Sequence, residues 1–170
     1  MDKAEEVYER IISPIESRMT GIISRVVGDP DDAADVLQET LAVVWRKLER
    51  LDRHPDPQSY ILRICLSRSY DALRKRARRR RERPLEGSIE ASQSAGGGDA
   101  VVEREALSAI HEAIGALPPK QGQAVLLRAV DGSTYSVIAK IMGCSEVTAR
   151  SHFSKGRARL REVLSELGLM

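Results

Sequence analysis

Residues 134–164 read TYSVIAKIMGCSEVTARSHFSKGRARLREVL, and this stretch decides the fold. Its apolar residues recur at helical spacing on both sides of Gly143. Ser133 or Thr134 is placed to cap the first helix, and Ser145 the second. Ala139 is small where two helices must cross closely. Gly143, four residues on, supplies the positive φ of a tight inter-helix turn. Ile138 and Met142 before the turn, with Cys144, Ala149 and Phe153 after it, are the expected core. This is the spacing of a helix-turn-helix. From Ser145 to Arg161 the second helix carries five basic groups and one acid. Such a helix suits the DNA major groove, its N-terminal side chains reaching base edges.

Upstream, Leu107, Ile110, Ile114 and Leu117 predict an amphipathic helix ending at Pro118-Pro119. A proline at the first helical position starts the next helix, which carries Val125, Leu126, Ala129 and Val130 and stops at Asp131-Gly132. Residues 103–170 therefore read as a four-helix domain. Before it, PLEGSIEASQSAGGGDA (84–100) has few large apolar residues and a triple glycine, the composition of a flexible linker. The linker is set at 84–102, and residues 1–83 form a second helical domain. In that first half, Val7, Ile11, Ile15, Met19, Ile22, Ile23 and Val26 keep helical spacing, with Pro14 a kink or break. Gly28-Asp29-Pro30-Asp31 is a turn, after which Asp31 or Asp32 caps a helix with the stripe Leu37, Leu41, Val44, Leu48 and Leu51. Its outer face is Asp35, Gln38, Glu39, Ala42, Trp45 and Arg46. His54-Pro55-Asp56-Pro57 breaks it, and another helix begins near Ser59. The core side of that helix is Ile61, Leu62, Cys65, Leu66, Ser69, Ala72 and Leu73; its opposite side is Tyr60, Arg63, Ser67, Tyr70 and Arg74. The fold class is all-α, two small helical domains joined by a linker.

Composition excludes several classes. Of 170 residues, 42% are hydrophobic and 31% charged, a balance that supports packed cores. Aromatics are only 4%, too few for an ordinary sandwich or barrel. No apolar run is long enough to span a bilayer, and MDKAEEVYER lacks a secretory pattern, so the expected location is the cytoplasm with no membrane partner. Cys65 and Cys144 lie far apart in apolar contexts and read as small hydrophobes. His54, His111 and His152 show no metal-ligand spacing. There is no phosphate loop and no nucleophile motif, so neither a metal, a cofactor nor an enzymatic reaction is expected.

The net charge of +2 conceals a segregated pattern. Residues 1–59 carry −5, 60–83 carry +8, 84–133 carry −4 and 134–170 carry +3. Two basic islands in an acidic background point to two polyanion contacts, leaving acidic surface for other partners. The tract RKRARRRRER (74–83) holds eight basic groups in ten residues. Like charges at helical spacing repel, so the tract calls for an anion. Aromatics interleaved with arginine, as in Tyr60, Arg63, Tyr70 and Arg74, suit unpaired bases.

With these residues in place, a resemblance appears. DPDDAADVLQETLAVVWRKL (29–48) resembles the second conserved region of bacterial sigma factors. YILRICLSRSYDALRKRARR (60–79) resembles the promoter-melting helix that follows it, and residues 117–164 resemble the fourth region. The order, with no domain between, is that of the extracytoplasmic-function (ECF) group of the sigma-70 family. The resemblance implies a subunit that binds core RNA polymerase through its beta-prime clamp helices and beta flap, places it on promoter DNA, and opens the duplex. An anti-sigma factor or other regulator is implied as a further partner. On this resemblance Asp35, Gln38, Glu39 and Trp45 meet the clamp helices. Tyr60, Arg63, Ser67, Tyr70 and Arg74 meet the minus-ten element. Thr148, Arg150, Ser151, His152, Ser154 and Lys155 meet the minus-thirty-five element. Tyr60 and Ser67 stand where the family commonly has Trp and Asn, which keeps a stacking platform and loses an amide. His152 stands where Arg is common.

Two other readings stay open from sequence. A helix-turn-helix regulator that never meets polymerase accounts for residues 103–170 but leaves the Asp35–Trp45 face idle. An RNA-binding or structural helical protein accounts for the arginine tract but has no need of Gly143 and the capped helix pair.

Overall fold

The computed structural model describes residues 2–82 and 98–170. Among them there is no strand. The chain opens with α1 (Lys3–Val7), a π-helical turn over Tyr8–Ile12 and a 3-10 turn over Ser13–Ile15 where Pro14 interrupts the ladder, then α2 (Glu16–Val27). It continues through α3 (Pro30–Arg46), α4 (Leu48–Asp52) and the long α5 (Pro57–Glu82). The second half holds α6 (Gly98–Gly115), α7 (Pro119–Val125) with a π-helical extension over Leu126–Val130, α8 (Tyr135–Met142) and α9 (Glu146–Glu166).

Several local expectations need correction. The cap of α3 is Asp29, not Asp31 or Asp32. Asp29 is extended, and its carboxylate accepts from both Asp31 N and Asp32 N at 3.0 Å, with Pro30 in the first turn. The stripe from Leu37 to Leu51 is not one helix, because the chain turns at Lys47; Ala33, Val36, Thr40, Val43 and Val44 go deeper than Leu37 and Leu41. α5 starts at Pro57, two residues early, because Asp56 accepts from Ser59 N at 3.1 Å. In the second half α6 begins at Gly98, so residues 98–102 of the expected linker are helical; residues 84–97 lie outside the described residues. The π-helical turn after α7 shifts the apolar phase, so Leu127 is buried where Ala129 was expected.

The larger finding is that the two halves pack together. α5 lies against α2 and α3, and also against α6, α7 and α8. Tyr70 is 1% exposed, and its hydroxyl donates to the carbonyls of Leu117 and, at 3.3 Å, Ile114. Burial pushes its phenol up to about 12. Gly122 makes room for it: a Cβ there would stand 2.6 Å from the Tyr70 oxygen. Asp131, its side chain fully covered, receives Arg18 Nη2 at 2.7 Å and Arg25 Nη2 at 2.6 Å from α2, and the Ser133 hydroxyl. Arg80 of α5 pairs with Glu112 of α6 at 2.8 Å.

Burial alone would raise the Asp131 carboxyl, but the Ser133 hydroxyl and the Arg25 and Arg18 guanidiniums outweigh it and hold it below the usual carboxylate range. A carboxyl depressed in the folded state adds stability above its unfolded pKa of about 4 and loses it as pH falls through the lower folded value. Urea unfolding between pH 3 and 7 should therefore show Asp131→Asn costing about 2 kcal/mol at neutral pH and flattening the acid limb. A variant with the parent's stability and acid profile would contradict this role.

Candidate nucleic-acid interface

Three groups of side chains take up the positions singled out in the sequence. The first is the outer face of α3. Asp35, Gln38 and Glu39 are exposed, and α3 itself packs on α2, α4 and α5. Trp45 is 47% exposed, yet its ring is stacked on Tyr8 at 6.0 Å with an interplanar angle of 11°. Tyr8 is held in turn by a 3.3 Å bond from its hydroxyl to Glu16 Oε2. Tyr8 was missed in the sequence because it sits in the π-helical turn, out of phase with the apolar series. Between α3 and α5 runs a groove of about 900 Å³ with Asp29, Asp32, Asp35 and Glu39 on one wall and arginines of α5, Arg74 and Arg78 among them, on the other.

The second group lies on α5. Tyr60 is half-buried and framed by cations: Lys47 Nζ donates to its oxygen at 3.1 Å, and the Arg63 guanidinium sits 5.9 Å from the ring centre. The His54 ring lies 5.1 Å away, tilted. The Lys47 bond, aided by the charges of Lys47, Arg50 and Arg63 and opposed by burial, holds the Tyr60 phenol below its ordinary value. Ser67 and Arg74 are exposed. Arg63 is turned inward across the domain boundary. Its Nε donates to Ile141 O at 2.6 Å and its Nη2 to Lys140 O at 3.3 Å, the closing carbonyls of α8. The expectation that all five residues share one open face is corrected here. Tyr70 is buried and Arg63 engaged, because the second half covers that part of α5.

The basic tract continues beyond. Arg78 pairs with Glu82 at 3.8 Å, but Arg74, Lys75, Arg79 and Arg81 are exposed without a carboxylate partner among the described residues.

The third group is α8 and α9. Thr134 Oγ1 accepts from Val137 N at 3.3 Å, which makes it, not Ser133, the cap of α8. Gly143 takes the left-handed conformation with φ +68°. Ser145 Oγ accepts from Thr148 N at 3.1 Å and starts α9. Beyond that cap Thr148, Arg150, Ser151, Ser154 and Lys155 are exposed and His152 is half-buried. Ile138, Met142 and Ala149 fill the crossing, with Cys144 and Phe153 half-buried beside them. Two residues the sequence did not single out belong to this group. The Tyr135 ring lies 4.3 Å from the Arg150 guanidinium and 4.8 Å from that of Arg128. An aromatic at the first position of α8, beside a basic second helix, was the signal available.

A capped helix-turn-helix, a second helix bearing arginine and tyrosine, and a separate acidic face converge on one class of protein. The family comparisons decide it: the model for sigma-70 region 2 matches residues 11–79, and that for sigma-70 region 4 matches residues 107–160. The chain belongs to the sigma-70 family. It is an ECF sigma factor, a promoter-directing subunit for core RNA polymerase. Sigma factor CarQ of Myxococcus xanthus is 28% identical over 99% of this chain and 95% of its own. The sigma-E factor of Streptomyces coelicolor is 27% identical over 92% and 85%. The probable sigma factor RfaY of Xanthomonas campestris is 25% identical over 94% of this chain, which spans 41% of RfaY. Among solved structures, CnrH in complex with the cytosolic domain of CnrY matches with a TM-score of 0.56 and 17% identity, over 96% of this chain and 95% of that one. The sigma factor RpoE of Bartonella quintana, in complex with the anti-sigma factor NepR, matches with a TM-score of 0.53 and 23% identity, over 93% and 96%. No described helix of the sigma factor is long and apolar enough to cross a membrane, and no group of metal-ligating side chains converges among the described residues.

The tyrosines offer a direct check of the α5 geometry. Burial and the nearby Glu16 raise the Tyr8 phenol, and Tyr70 is pushed up to about 12. In an absorbance titration near 295 nm Tyr60 should ionise before both, and Lys47→Met should move its midpoint upward. An unchanged first midpoint in Lys47→Met would refute the Lys47–Tyr60 bond.

Proposed function

We propose that this sigma factor docks on the polymerase clamp helices through Asp35, Gln38, Glu39 and Trp45 before the DNA face of α5 is engaged. The observation that carries the order is the contrast in accessibility. The α3 face is exposed in the closed molecule, whereas Arg63 and Tyr70 are covered by the second half. Polymerase binding is then free to precede, and DNA binding by α5 requires the halves to part.

Once they part, Tyr60, Arg63, Ser67, Tyr70 and Arg74 present a cationic, aromatic surface to the single-stranded minus-ten region. A base turned out of the duplex stacks on Tyr60, an interaction of about 1–3 kcal/mol. The tract from Arg74 to Arg81 neutralises the adjoining phosphates. On the other half, α9 enters the upstream major groove with Thr148, Arg150, Ser151, His152, Ser154 and Lys155 at the DNA. The factor itself performs no bond chemistry; the polymerase does that. Its place of work is the cytoplasm. An anti-sigma factor, the kind of partner that the solved RpoE structure carries, is a further partner, and it gains most by holding the halves closed.

Transcription in vitro with core polymerase on a randomised promoter library tests the proposal. The chain should direct initiation from a defined pair of elements. Replacing both Gln38 and Glu39 with Ala should leave the helical circular dichroism unchanged, because both face solvent. Core affinity should fall by about 2 kcal/mol, the usual size of an interface hot spot. Unaltered core affinity would remove this face from the assignment. Specific duplex binding by the chain alone, with no response to core polymerase, would favour the plain helix-turn-helix regulator instead.

A further inference from the structure

Arg150 and Arg128 come from different elements and meet at one ring. Their guanidinium carbons stand 4.3 and 4.8 Å from the centre of Tyr135. Neither has a carboxylate within ion-pair distance among the described residues; Arg128 gives Nη1 to Ser133 O at 3.0 Å, and Arg150 has no protein hydrogen-bond acceptor among them. Both cations thus share one ring, and among the described residues no carboxylate neutralises either of them. The ring is itself fixed. It follows the Thr134 cap directly, and it meets the Phe153 ring of α9 edge-on at 6.0 Å and 65°.

The geometry points to Tyr135 as the positioning residue that holds Arg150 for reading a base in the upstream element, with Arg128 on the same ring gripping the neighbouring phosphate. This rests on α9 being the recognition helix, as proposed above. An arginine on an exposed helix face samples many rotamers, but bidentate recognition of a base edge needs the guanidinium plane at one orientation. A cation–π contact supplies that orientation from behind and leaves the outer N–H edges free. Neither arginine has a carboxylate to leave among the described residues, so a DNA phosphate can take up their charge without breaking an ion pair. The Tyr135 hydroxyl has no part in this arrangement, so phenylalanine should serve as well.

The test uses the holoenzyme reconstituted with core polymerase on a promoter library randomised through the upstream element. Arg150→Ala first defines the positions that Arg150 discriminates. Tyr135→Leu should relax discrimination at those same positions by about tenfold and leave the minus-ten preference unchanged. Tyr135→Phe should match the parent. The Arg150→Ala, Tyr135→Leu double variant should relax no further than Arg150→Ala alone, the non-additivity of two groups acting as one. Arg128→Ala should lower initiation evenly across upstream sequences and reduce the salt dependence by about one counterion. Should Tyr135→Leu fail to fold, Arg150→Lys keeps the charge but not the flat stack, and it should relax the same positions in an intact molecule. Arg150→Lys with parental discrimination, or Tyr135→Leu with an even loss at both elements, overturns the positioning role. If Arg150→Ala itself relaxes nothing, the recognition-helix assignment fails instead.

Discussion

Helix α5 runs through one hydrophobic core to which both halves contribute, and the accessibility of each functional side chain depends on what covers it. One side carries Ile61, Leu62, Cys65 and Leu66 into the core with α2 and α3. Farther along, Tyr70 and Leu73 enter the second half. The Tyr70 hydroxyl takes the two carbonyls at the end of α6, and Arg63 takes those at the end of α8. Ile114 O and Lys140 O also accept a backbone N–H, from Leu117 at 3.1 Å and Gly143 at 3.3 Å, and the side chains of α5 add to the acceptors that helix C-termini expose. The closed molecule thus uses the same arginine and tyrosine that the proposed function assigns to the promoter strand.

Electrostatics pulls in the same direction. Asp131 sits just before α8 and draws two arginines of α2 onto the second half. Glu112 draws Arg80 of the basic tract onto α6. The Arg80–Glu112 pair is partly exposed and modest, whereas the covered Asp131 carboxylate makes its two pairs the stronger tie. A DNA backbone offers a dense row of anions to the same cations. Under the proposed opening on the polymerase, promoter phosphates replace two carboxylates, Asp131 and Glu112, while α3 keeps its acidic face available in both states.

Much of this was legible in the sequence. The helix-turn-helix was written in Ala139, Gly143 and Ser145, because a small crossing residue, a tight turn and a cap leave few alternatives. The outer face of α3 followed from period: the stripe through Leu37, Leu41 and Val44 left Asp35, Gln38, Glu39 and Trp45 outward, and they are exposed, although Val36 and Val43 lie deeper than Leu37 and Leu41. Periodicity failed where the helix was not a plain α-helix. The π-helical turns hid Tyr8 and moved Leu127 into the core. It also failed for α5, where both sides of one helix are buried by different partners, so Tyr70 read as surface. The contact between the halves, and the meeting of Arg128, Tyr135 and Arg150, depend on tertiary placement that no local pattern encodes.

The central claim is that one chain alternates between a closed form, in which the second half covers the strand-binding side of α5, and an open form on the promoter. The distance between the halves measures it most directly. Spin labels at exposed Glu49 and Ser165, in a Cys144→Ala background with Cys65 buried, report that distance by pulsed electron resonance. The free chain should give one short, narrow distribution, and the complex with core polymerase and promoter DNA a single longer one. The same short distance in a complex competent to initiate transcription would contradict the account.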